Sequence, residues 1–309
     1  MVTMKGKHVL TLHDFTTEEI MQILKTGEHL KMQRKIGVAH PVLQGKTMGM
    51  IFQKPSLRTR VSFETGMTQL GGHAIYLGPD DISLGKRETT EDIALVISRY
   101  VDVIMARVFG HEIVEELARY SSVPVINGLS DFAHPCQALG DFLTISEKKG
   151  RLEGLKLAYI GDGNNVATSL AYGAAKLGTH AMIATPPGYE LPAAVLKDAQ
   201  QDATLTGARI SVTNDPVEAV TDADIVYTDV WASMGQEAEQ EERKRLFQAF
   251  QITLDLLNKA KPDAIFMHCL PAHYGDEVTY EAAKDPRSVI YDQAENRMHA
   301  QKAVLVLVA

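Results

Sequence analysis

Only two cysteines, Cys136 and Cys269, occur among the 309 residues of this sequence. So few thiols argue against a disulfide framework and are typical of proteins that stay reduced in a cytoplasm. The sequence also lacks a run of about 20 apolar residues, the length that a membrane-spanning helix needs. Its first residues, MVTMKGKHVLTLHDF, contain no apolar core of a signal peptide. We therefore expect a cytoplasmic protein that has no membrane partner.

Positive charge is scarce as well. The 31 Lys and Arg residues are outnumbered by 39 Asp and Glu residues, which gives a formal net charge of −8. General binding of nucleic acid requires a basic surface, so we expect no nucleic-acid partner. The rest of the composition, 45% hydrophobic and 23% charged, is that of a globular protein, and the length favours two domains.

Short apolar segments alternate with helical patterns along most of the chain, and this alternation predicts the fold class. The segments with the composition of buried strands are 47–53, 74–78, 101–107, 123–127, 155–161, 181–185, 208–212, 223–229 and 264–269. Strands separated by helices form parallel sheets. We therefore predict an α/β fold of two domains, each with a mostly parallel sheet covered by helices on both faces.

The polar stretch KKGRLEG at 148–154 marks the expected boundary between the domains. The predicted limits are 1–147 for the first domain and 148–290 for the second, with a last helix at 291–309. In open α/β sheets ligands bind beyond the carboxyl ends of the strands, so chemistry is expected in the loops that follow them. These loops are KPSLRTR, RVFGH, DFAHPCQ, GDGNN, DVWASMGQE and HCLPAH.

The loop KPSLRTR follows one predicted strand and opens a helix. Ser56 is placed to cap that helix. The N–H groups of the first turn, the helix dipole and Arg58 together would hold a phosphate group. A capped helix with a solvated basic face is the alternative interpretation. The sequence lacks the G-x-x-x-x-G-K-S/T pattern, so the segment is not a nucleotide-binding P-loop.

Arg107 and the segment HPCQ (134–137) are candidates for further contacts with an anion. Arg107 ends an apolar strand, where it is either an ordinary charged residue or a second anion contact. His134 and Gln137 are three residues apart at the start of a helix, so their side chains would be neighbours. An isolated His is more often structural, and the presence of Gln137 makes the two interpretations nearly equal.

Three motifs of the second domain each have alternative interpretations. GDGNN (161–165) follows a strand, but Val166 replaces the third glycine of a dinucleotide fingerprint and no acidic residue ends the next strand. Asp229, just past another strand, either binds a substrate ammonium or forms a turn. HCLPAH (268–273) could offer His and Cys to a metal, but no CxxC or HExxH partner exists, so we predict no metal. Cys269 would need an activating base to act as a nucleophile.

Five motifs, in this order, resemble those of the aspartate/ornithine carbamoyltransferase family in their ornithine-type form. They are SLRTR for S-T-R-T-R, HPCQ for H-P-x-Q, DVWASMG for D-x-x-x-S-M-G, HCLP for H-C-L-P, and the closing YDQAENR. The resemblance covers almost the whole chain. It implies transfer of a carbamoyl group from carbamoyl phosphate to the δ-amine of L-ornithine, which gives L-citrulline and phosphate in arginine biosynthesis.

The resemblance also implies roles for individual residues. The residues that it implies for carbamoyl phosphate are Ser56, Leu57, Arg58, Thr59, Arg107, His134, Gln137, Cys269, Leu270 and Arg297. Those that it implies for ornithine are Asn165, Asp229, Ser233 and Met234. The residues with implied catalytic roles are Arg107, His134, Asp229 and Cys269. The resemblance implies no cofactor and no metal.

The family pattern further implies a homotrimer, or a larger assembly, and a C-terminal helix that packs back on the first domain. A loop near 77–88 would reach the active site of the neighbouring subunit. Two residues depart from the pattern. Leu57 replaces a Thr, which leaves only a backbone contact to the phosphate at that position. Ser83 replaces a Gln or His that reaches the neighbour, a role that Lys86 could take.

Other functions stay open at this point. Aspartate as the acceptor would need cationic groups for its second carboxylate, and its relatives carry HPLPR where this chain has HCLPAH. Putrescine has no α-carboxylate, so the intact SMG sequence argues against it, and acetylornithine is a further rival amine. A dehydrogenase that binds a dinucleotide at GDGNN is the alternative from another class of enzyme.

Overall fold

A computed structural model describes residues 2–82, 88–232 and 239–309 of the chain. The chain divides into two compact units. Unit 1 consists of Met1–Leu143 together with Asn296–Ala309, and unit 2 consists of Thr144–Glu295. The domain limits expected from the sequence, 1–147, 148–290 and 291–309, stay a prediction.

Unit 1 is built around a four-stranded parallel sheet. Its strands, in the spatial order β2-β1-β3-β4, are β1 (Thr47–Phe52), β2 (His73–Leu77), β3 (Val103–Arg107) and β4 (Val125–Leu129). Its helices are α1 (Thr17–Lys35), α2 (Leu57–Gln69), α3 (Pro79–Ile82), α4 (Thr90–Ile97), α5 (His111–Tyr120) and the start of α6 (Pro135–Lys149). The strands other than the edge strand β2 are almost entirely buried, as expected when helices cover both faces.

Unit 2 contains a five-stranded parallel sheet. Its strands, in the spatial order β7-β6-β5-β8-β9, are β5 (Lys156–Ile160), β6 (His180–Ala184), β7 (Ile210–Thr213), β8 (Ile225–Thr228) and β9 (Ile265–His268). Its helices are α7 (Asn165–Leu177), α8 (Ala193–Ala203), α9 (Pro216–Val220), α10 (Gln240–Phe247), α11 (Leu254–Leu257), α12 (Tyr280–Ala283) and the start of α13 (Ile290–Val308). Within the described residues, no helix is long and apolar enough to cross a membrane.

The last helix, α13, contributes residues to both units. Its first six residues belong to unit 2 and the remainder to unit 1, where the Gly6 N–H donates to the Val308 carbonyl. The predicted α/β class and the return of the C-terminal helix to the first domain are therefore confirmed. The helix begins at Ile290, one residue earlier than predicted, because the Gln293 N–H closes a helical turn on the Val289 carbonyl.

Local sequence explains where the first helices begin and end. Thr16 and Glu19 form a reciprocal capping box at the start of α1, as their spacing predicts. Ser56 caps α2, and its side chain accepts the Thr59 N–H. After α2, Gly71 has a φ of +80°, a left-handed conformation that favours glycine at the end of a helix.

Each sheet contains a point at which the direction of the chain across the sheet reverses. In unit 1 this point lies between β1 and β3, and in unit 2 it lies between β5 and β8. Ligands bind at such switch points because the connections on the two sides diverge and leave a crevice. The loops there contain SLRTR and RVFGH in unit 1, and GDGNN and DVWASMG in unit 2. The topology therefore places predicted site residues at the switch point of each unit.

The core of unit 1 contains a lysine. Lys302, on α13, is fully buried, and its Nζ donates to His40 Nε2 at 2.7 Å and to Gln69 Oε1 at 2.9 Å. His40 can accept this bond because its Nδ1–H donates to the Val38 carbonyl. Burial, reinforced by the charge of Arg34, lowers the pKa of Lys302 from 10.5 to about 8. The charged amine therefore destabilises the folded chain at neutral pH.

We expect Lys302 to add about 2 kcal/mol to the free energy of unfolding between pH 7.5 and pH 10. The folded amine loses its proton near pH 8 and the unfolded amine only near pH 10.5, so the unfolded state binds more protons across this window. Denaturant unfolding gives the free energy of unfolding of the wild-type chain and of the Lys302→Met variant at both pH values. The free energy should rise by about 2 kcal/mol more in the wild-type chain than in the variant. Parallel pH dependences in the two proteins would contradict it.

Candidate active site

The start of α2 presents hydrogen-bond donors and a cation beyond the end of β1. Ser56 Oγ donates to Thr59 Oγ1 at 3.1 Å and accepts the Thr59 N–H at 3.5 Å. Leu57 is the first helical residue, and its side chain is 77% exposed, so only its backbone N–H is available to a polar ligand. Arg58 is half-buried and forms no ion pair within the described part of the chain. A helix start with an uncompensated guanidinium attracts an anion.

Arg107 connects the loop after β3 with the loop after β1. Its Nη1 donates to Thr59 Oγ1 at 3.4 Å. Thr59 is itself buried, so its hydroxyl holds the guanidinium at a fixed place beside the start of α2. This contact crosses the switch point of unit 1 and brings two of the predicted site residues together.

Gln137 and Arg297 belong to the same unit, on α6 and α13. Arg297 Nη1 donates to Gln137 Oε1 at 3.2 Å, and Gln137 Nε2 donates to Asp141 Oδ1 at 2.8 Å. The helices approach closely at Gly140, where a Cβ would lie 2.7 Å from Arg297 Cα. Asp141, which the sequence analysis did not single out, fixes the Gln137 amide with its oxygen toward Arg297. Its spacing of four residues from Gln137 on one helix is a signal that could have identified it.

The site in unit 1 is positively charged around His134. This side chain is 5% exposed, and burial lowers its pKa well below 6.5, with further lowering by Arg297, Arg107 and Arg58. The imidazole is therefore neutral at physiological pH, and the three arginines favour an anionic ligand.

In unit 2, Asp229 lies just beyond β8 and contacts two neutral donors. Asn164 Nδ2 donates to Asp229 Oδ2 at 3.1 Å, and the Cys269 thiol donates to Asp229 Oδ1 at 2.8 Å. Asp229 is 5% exposed, and no described Lys, Arg or His forms an ion pair with it. A buried carboxylate without a cation is unfavourable unless a ligand supplies the positive charge. This half of the site therefore favours an ammonium group.

Asn164 is a site residue that the sequence analysis missed, next to the predicted Asn165. Its Oδ1 accepts the N–H groups of Val166 and Ala167 at the start of α7, and its Nδ2 points to Asp229. Asn165 is the first helical residue and is buried. The preference of Asn for the position before a helix is the signal that could have identified Asn164.

The geometry of GDGNN disfavours a dinucleotide site. A pyrophosphate would bind the first N–H groups of α7, but Asn164 already accepts two of them. A Cβ on Gly163 would lie 2.5 Å from the backbone of Glu190 and Leu191. This glycine is therefore required for close packing inside unit 2, and the motif needs no bound cofactor to explain it.

The buried carboxylate of Glu277 contacts residues at both ends of the segment HCLPAH. Glu277 Oε1 lies 3.0 Å from His268 Nε2 and accepts the His273 N–H at 2.6 Å. His268 Nδ1 accepts the Leu270 N–H at 2.9 Å, so the ring proton is on Nε2 and is donated to Glu277. Leu270 has a φ of +59°, which is rare for a residue with a side chain, and this bond helps to hold it.

Asp229, His268 and Cys269 form the only cluster of described residues whose ligand atoms could hold a metal, all within 4.8 Å of one another. Both ring nitrogens of His268 already have partners, and Cys269 keeps its proton in the bond to Asp229. A metal would have to displace these bonds and still find a fourth ligand. The expectation that the protein uses no metal stays a prediction.

Neither cysteine has the surroundings of a nucleophile. Burial raises the pKa of Cys136 to about 12, although the charge of Arg297 opposes the shift. The Cys269 thiol faces the Asp229 carboxylate, and a neighbouring negative charge opposes loss of the thiol proton. Neither cysteine forms a disulfide within the described residues.

The structure distributes the predicted site residues between the two units. Those in unit 1 are Ser56, Leu57, Arg58, Thr59, Arg107, His134, Gln137 and Arg297. Those described in unit 2 are Asn165, Asp229, Cys269 and Leu270. The predicted ornithine contacts Ser233 and Met234, and the predicted neighbour contacts Ser83 and Lys86, lie outside the described residues.

Family models match the chain over nearly its whole length. The carbamoyl-P binding domain of aspartate/ornithine carbamoyltransferase matches residues 7–147, and the Asp/Orn binding domain matches residues 153–308. This chain belongs to the aspartate/ornithine carbamoyltransferase family. The resemblance of its five motifs to that family is therefore confirmed.

Individual relatives are similar along their full length. An ornithine carbamoyltransferase of Thermococcus kodakarensis is 60% identical over 308 residues, which are 100% of this chain and 98% of the relative. An anabolic ornithine carbamoyltransferase of Pyrococcus furiosus is 58% identical, with 100% and 98% covered. A solved structure of the Pyrococcus furiosus enzyme has a TM-score of 0.97, with 58% identity and the same coverage. The Thermus thermophilus structure has a TM-score of 0.89 at 45% identity, with 98% and 99% covered.

We expect Arg58→Ala to weaken binding of carbamoyl phosphate about tenfold to a hundredfold, because a charge-assisted bond to phosphate contributes about 1.5–3 kcal/mol. Calorimetric titration with carbamoyl phosphate measures the change. Arg60→Ala is the matched control, since Arg60 pairs with Glu64 at 2.9 Å and stacks on Tyr76. Near-wild-type affinity of the Arg58 variant, or an equal loss in the control, would remove Arg58 from the anion site.

Proposed function

We propose that this chain transfers the carbamoyl group of carbamoyl phosphate to the δ-amine of L-ornithine, giving L-citrulline and phosphate. The observation that carries the proposal is the opposite charge of the two half-sites. Three arginines surround the neutral His134 in unit 1, whereas Asp229 in unit 2 is a buried carboxylate with which no cation of the described residues forms an ion pair. Carbamoyl phosphate is an anion, and ornithine carries an α-ammonium. The names of the relatives support the same activity.

The phosphate group binds at the start of α2. Arg58 supplies the charge, and the hydroxyl groups of Ser56 and Thr59 and the N–H of Leu57 supply hydrogen bonds. Leu57 supplies no side-chain hydroxyl, but a guanidinium, two hydroxyl groups and a backbone N–H remain as donors to the phosphate. The carbamoyl group faces Arg107, His134 and Gln137 in this unit, with Arg297 holding the Gln137 amide.

Catalysis consists mainly of stabilising charge as the bonds change. When the neutral δ-amine attacks the carbonyl carbon, negative charge develops on the carbonyl oxygen and on the departing phosphate. Arg107 and His134 donate to the oxygen, and Arg58 with the start of α2 stabilises the phosphate. A fixed donor of this kind contributes about 3–4 kcal/mol. The leaving phosphate can accept the amine proton, so no protein base is needed.

Asp229 binds the α-ammonium of ornithine, and its buried position makes the ion pair strong once the ligand excludes water. Asn165, Ser233 and Met234 complete the contacts to the α-amino and α-carboxylate groups. Cys269 and Leu270 lie next to this position, where the protonated thiol steers the side-chain amine. The transfer is direct, since neither cysteine has the surroundings of a nucleophile.

The charge of the ornithine half-site also argues against rival acceptors. Aspartate would bring a second carboxylate close to Asp229, and the described part of unit 2 pairs no cation with that residue. Acetylornithine has an acylated α-amine and cannot supply an α-ammonium. Putrescine lacks the α-carboxylate that the SMG sequence is expected to bind. The use of GDGNN in internal packing removes the main support for a dehydrogenase.

The active form is a homotrimer or a larger assembly in the cytoplasm, and it functions in arginine biosynthesis. Three exposed apolar side chains of unit 1 support an interface with another copy: Leu57, Val61 and Ile75, which are 77%, 50% and 41% exposed. The Pyrococcus furiosus relative is an anabolic ornithine carbamoyltransferase, which supports the biosynthetic direction.

Citrulline formation as a function of pH tests the proposal. The δ-amine must be neutral to attack, and with a reference pKa of about 10.4 only about one molecule in a thousand is neutral at pH 7.4. We therefore expect kcat/KM for ornithine to rise about tenfold per pH unit from pH 6 to pH 8. At pH 7 and above His134 is neutral, because burial and three arginines hold its pKa well below 6.5. A flat profile with chemistry as the limiting step would contradict selection of the neutral δ-amine.

Asp229→Asn should keep this slope, because the slope belongs to the substrate, and lower kcat/KM for ornithine by about a hundredfold. Asp255→Asn is the control, since Asp255 is exposed on α11 of the same unit. An Asp229 variant with unchanged kcat/KM would remove Asp229 from the ornithine site. A wild-type chain that forms no citrulline would refute the proposed function itself.

A further inference from the structure

A second buried carboxylate lies close to Asp229 in unit 2. Asp162, in the GDGNN loop, is 7% exposed and Asp229 is 5% exposed. Burial raises the pKa of Asp162, Arg243 lowers it, and the negative charges of Asp229 and Glu239 raise it further. The two aspartates therefore repel each other. A substrate ammonium would be attracted to both carboxylates unless another cation pairs with one of them.

Arg243, on α10, is the cation that faces Asp162. Its Nη1 donates to Asp162 Oδ2 at 2.8 Å and to the Trp231 carbonyl at 2.9 Å. Its Nε donates to Glu239 Oε2 at 3.0 Å. The side chain is 6% exposed, so little water weakens these bonds.

Aromatic rings restrict the position of this guanidinium. The carbon Cζ of Arg243 lies 4.8 Å from the ring centre of Tyr189 and 5.9 Å from that of Phe247. Trp231 packs against Phe247, with ring centres 5.8 Å apart. A planar guanidinium that stacks on rings and donates in three directions has few alternative positions, which a lysine could not reproduce.

We propose that Arg243 is a positioning residue for the ornithine half-site, which neutralises Asp162 and fixes the backbone at Trp231 so that Asp229 is left to pair with the substrate ammonium. Asp162 lies two residues before Asn164, and Trp231 lies two residues after Asp229. Arg243 therefore holds both loops of the switch point at the same time. This inference rests on the proposed function, because it names the residue that prepares the site for ornithine.

Without Arg243, Asp162 would either take up a proton or attract the ornithine ammonium away from Asp229. Either change would misplace the substrate amine, while the carbamoyl phosphate contacts of unit 1 would keep their own partners. A loss confined to ornithine is therefore the signature of this role. Because unit 2 holds the ornithine half-site, general loosening of this unit would also raise KM for ornithine, and a control variant in the same unit is needed to separate the two causes.

Steady-state kinetics of Arg243→Met, with both substrates varied, test the proposal. We expect KM for ornithine to rise about tenfold or more, and KM for carbamoyl phosphate to stay within about twofold. Arg243→Lys keeps the charge but not the three-way geometry, so its KM for ornithine should lie between wild type and Arg243→Met. An Arg243→Met variant with the wild-type KM for ornithine would overturn the proposal.

Lys176→Met is the matched control in the same unit. Lys176 and Asp202 form an equally buried ion pair, with 2.8 Å between Nζ and Oδ1 and side chains 11% and 10% exposed. Their bond links α7 to α8, whereas the bonds of Arg243 reach the loops after β5 and β8. We expect this variant to lose stability with little change in KM for ornithine. An equal rise of this KM in both methionine variants would show general loosening and overturn the proposal.

Equilibrium unfolding of Arg243→Met, Asp162→Asn and the double variant tests the ion pair between Arg243 and Asp162. This measurement does not depend on enzymatic activity. The double variant should be more stable than Arg243→Met, because it removes the Asp162 carboxylate that Arg243→Met leaves buried without its cation. A double variant no more stable than Arg243→Met would refute neutralisation of Asp162 by Arg243. Absence of citrulline formation in the wild-type chain would instead refute the proposed function, and the unfolding comparison would still decide the pairing.

Discussion

The parallel direction of the strands is the constraint on which the site depends. Since the carboxyl ends of parallel strands meet at one edge, the loops after the two strands on either side of each switch point must lie side by side. Hydrogen bonds join these loops, among them the bond between Arg107 and Thr59 in unit 1 and the bond between Asn164 and Asp229 in unit 2. Residues that are far apart in the sequence are neighbours in the fold, because the loops that carry them lie at the same edge of the sheet.

The two units differ in the charge of their half-sites. The chain carries a net charge of −8, yet the arginines around His134 make the site of unit 1 positive. In unit 2, Arg243 compensates Asp162, and neutral donors hold Asp229. The half-site of unit 1 is thus positive and that of unit 2 is negative. A substrate group of the opposite charge would form an ion pair in each. We propose that this arrangement selects an anionic donor and a cationic acceptor.

The features that sequence predicts well are local. Strand composition, the Thr16–Glu19 capping box and the Ser56 cap all depend on residues within one turn or one segment, and the structure confirms each of them. The motif order likewise indicates the family, which the family models confirm. Contacts between distant residues are different. Nothing in the periodicity of α10 indicates that Arg243 meets Asp162, 81 residues earlier, or that Lys302 meets His40. Gly163 shows the same limit, because its packing against the 190–191 backbone depends on a loop that the motif does not contain.

The central claim is that the two half-sites serve one reaction, and a bisubstrate analogue tests it most directly. In this analogue a phosphonoacetyl group, which imitates carbamoyl phosphate, is joined to the δ-nitrogen of L-ornithine. Calorimetry compares its dissociation constant with those of ornithine and of phosphonoacetamide. If both half-sites act on one ligand, the analogue should bind far more tightly than either part, because the second group binds without a new association cost. An analogue that binds no more tightly than the better of its two parts would contradict the claim.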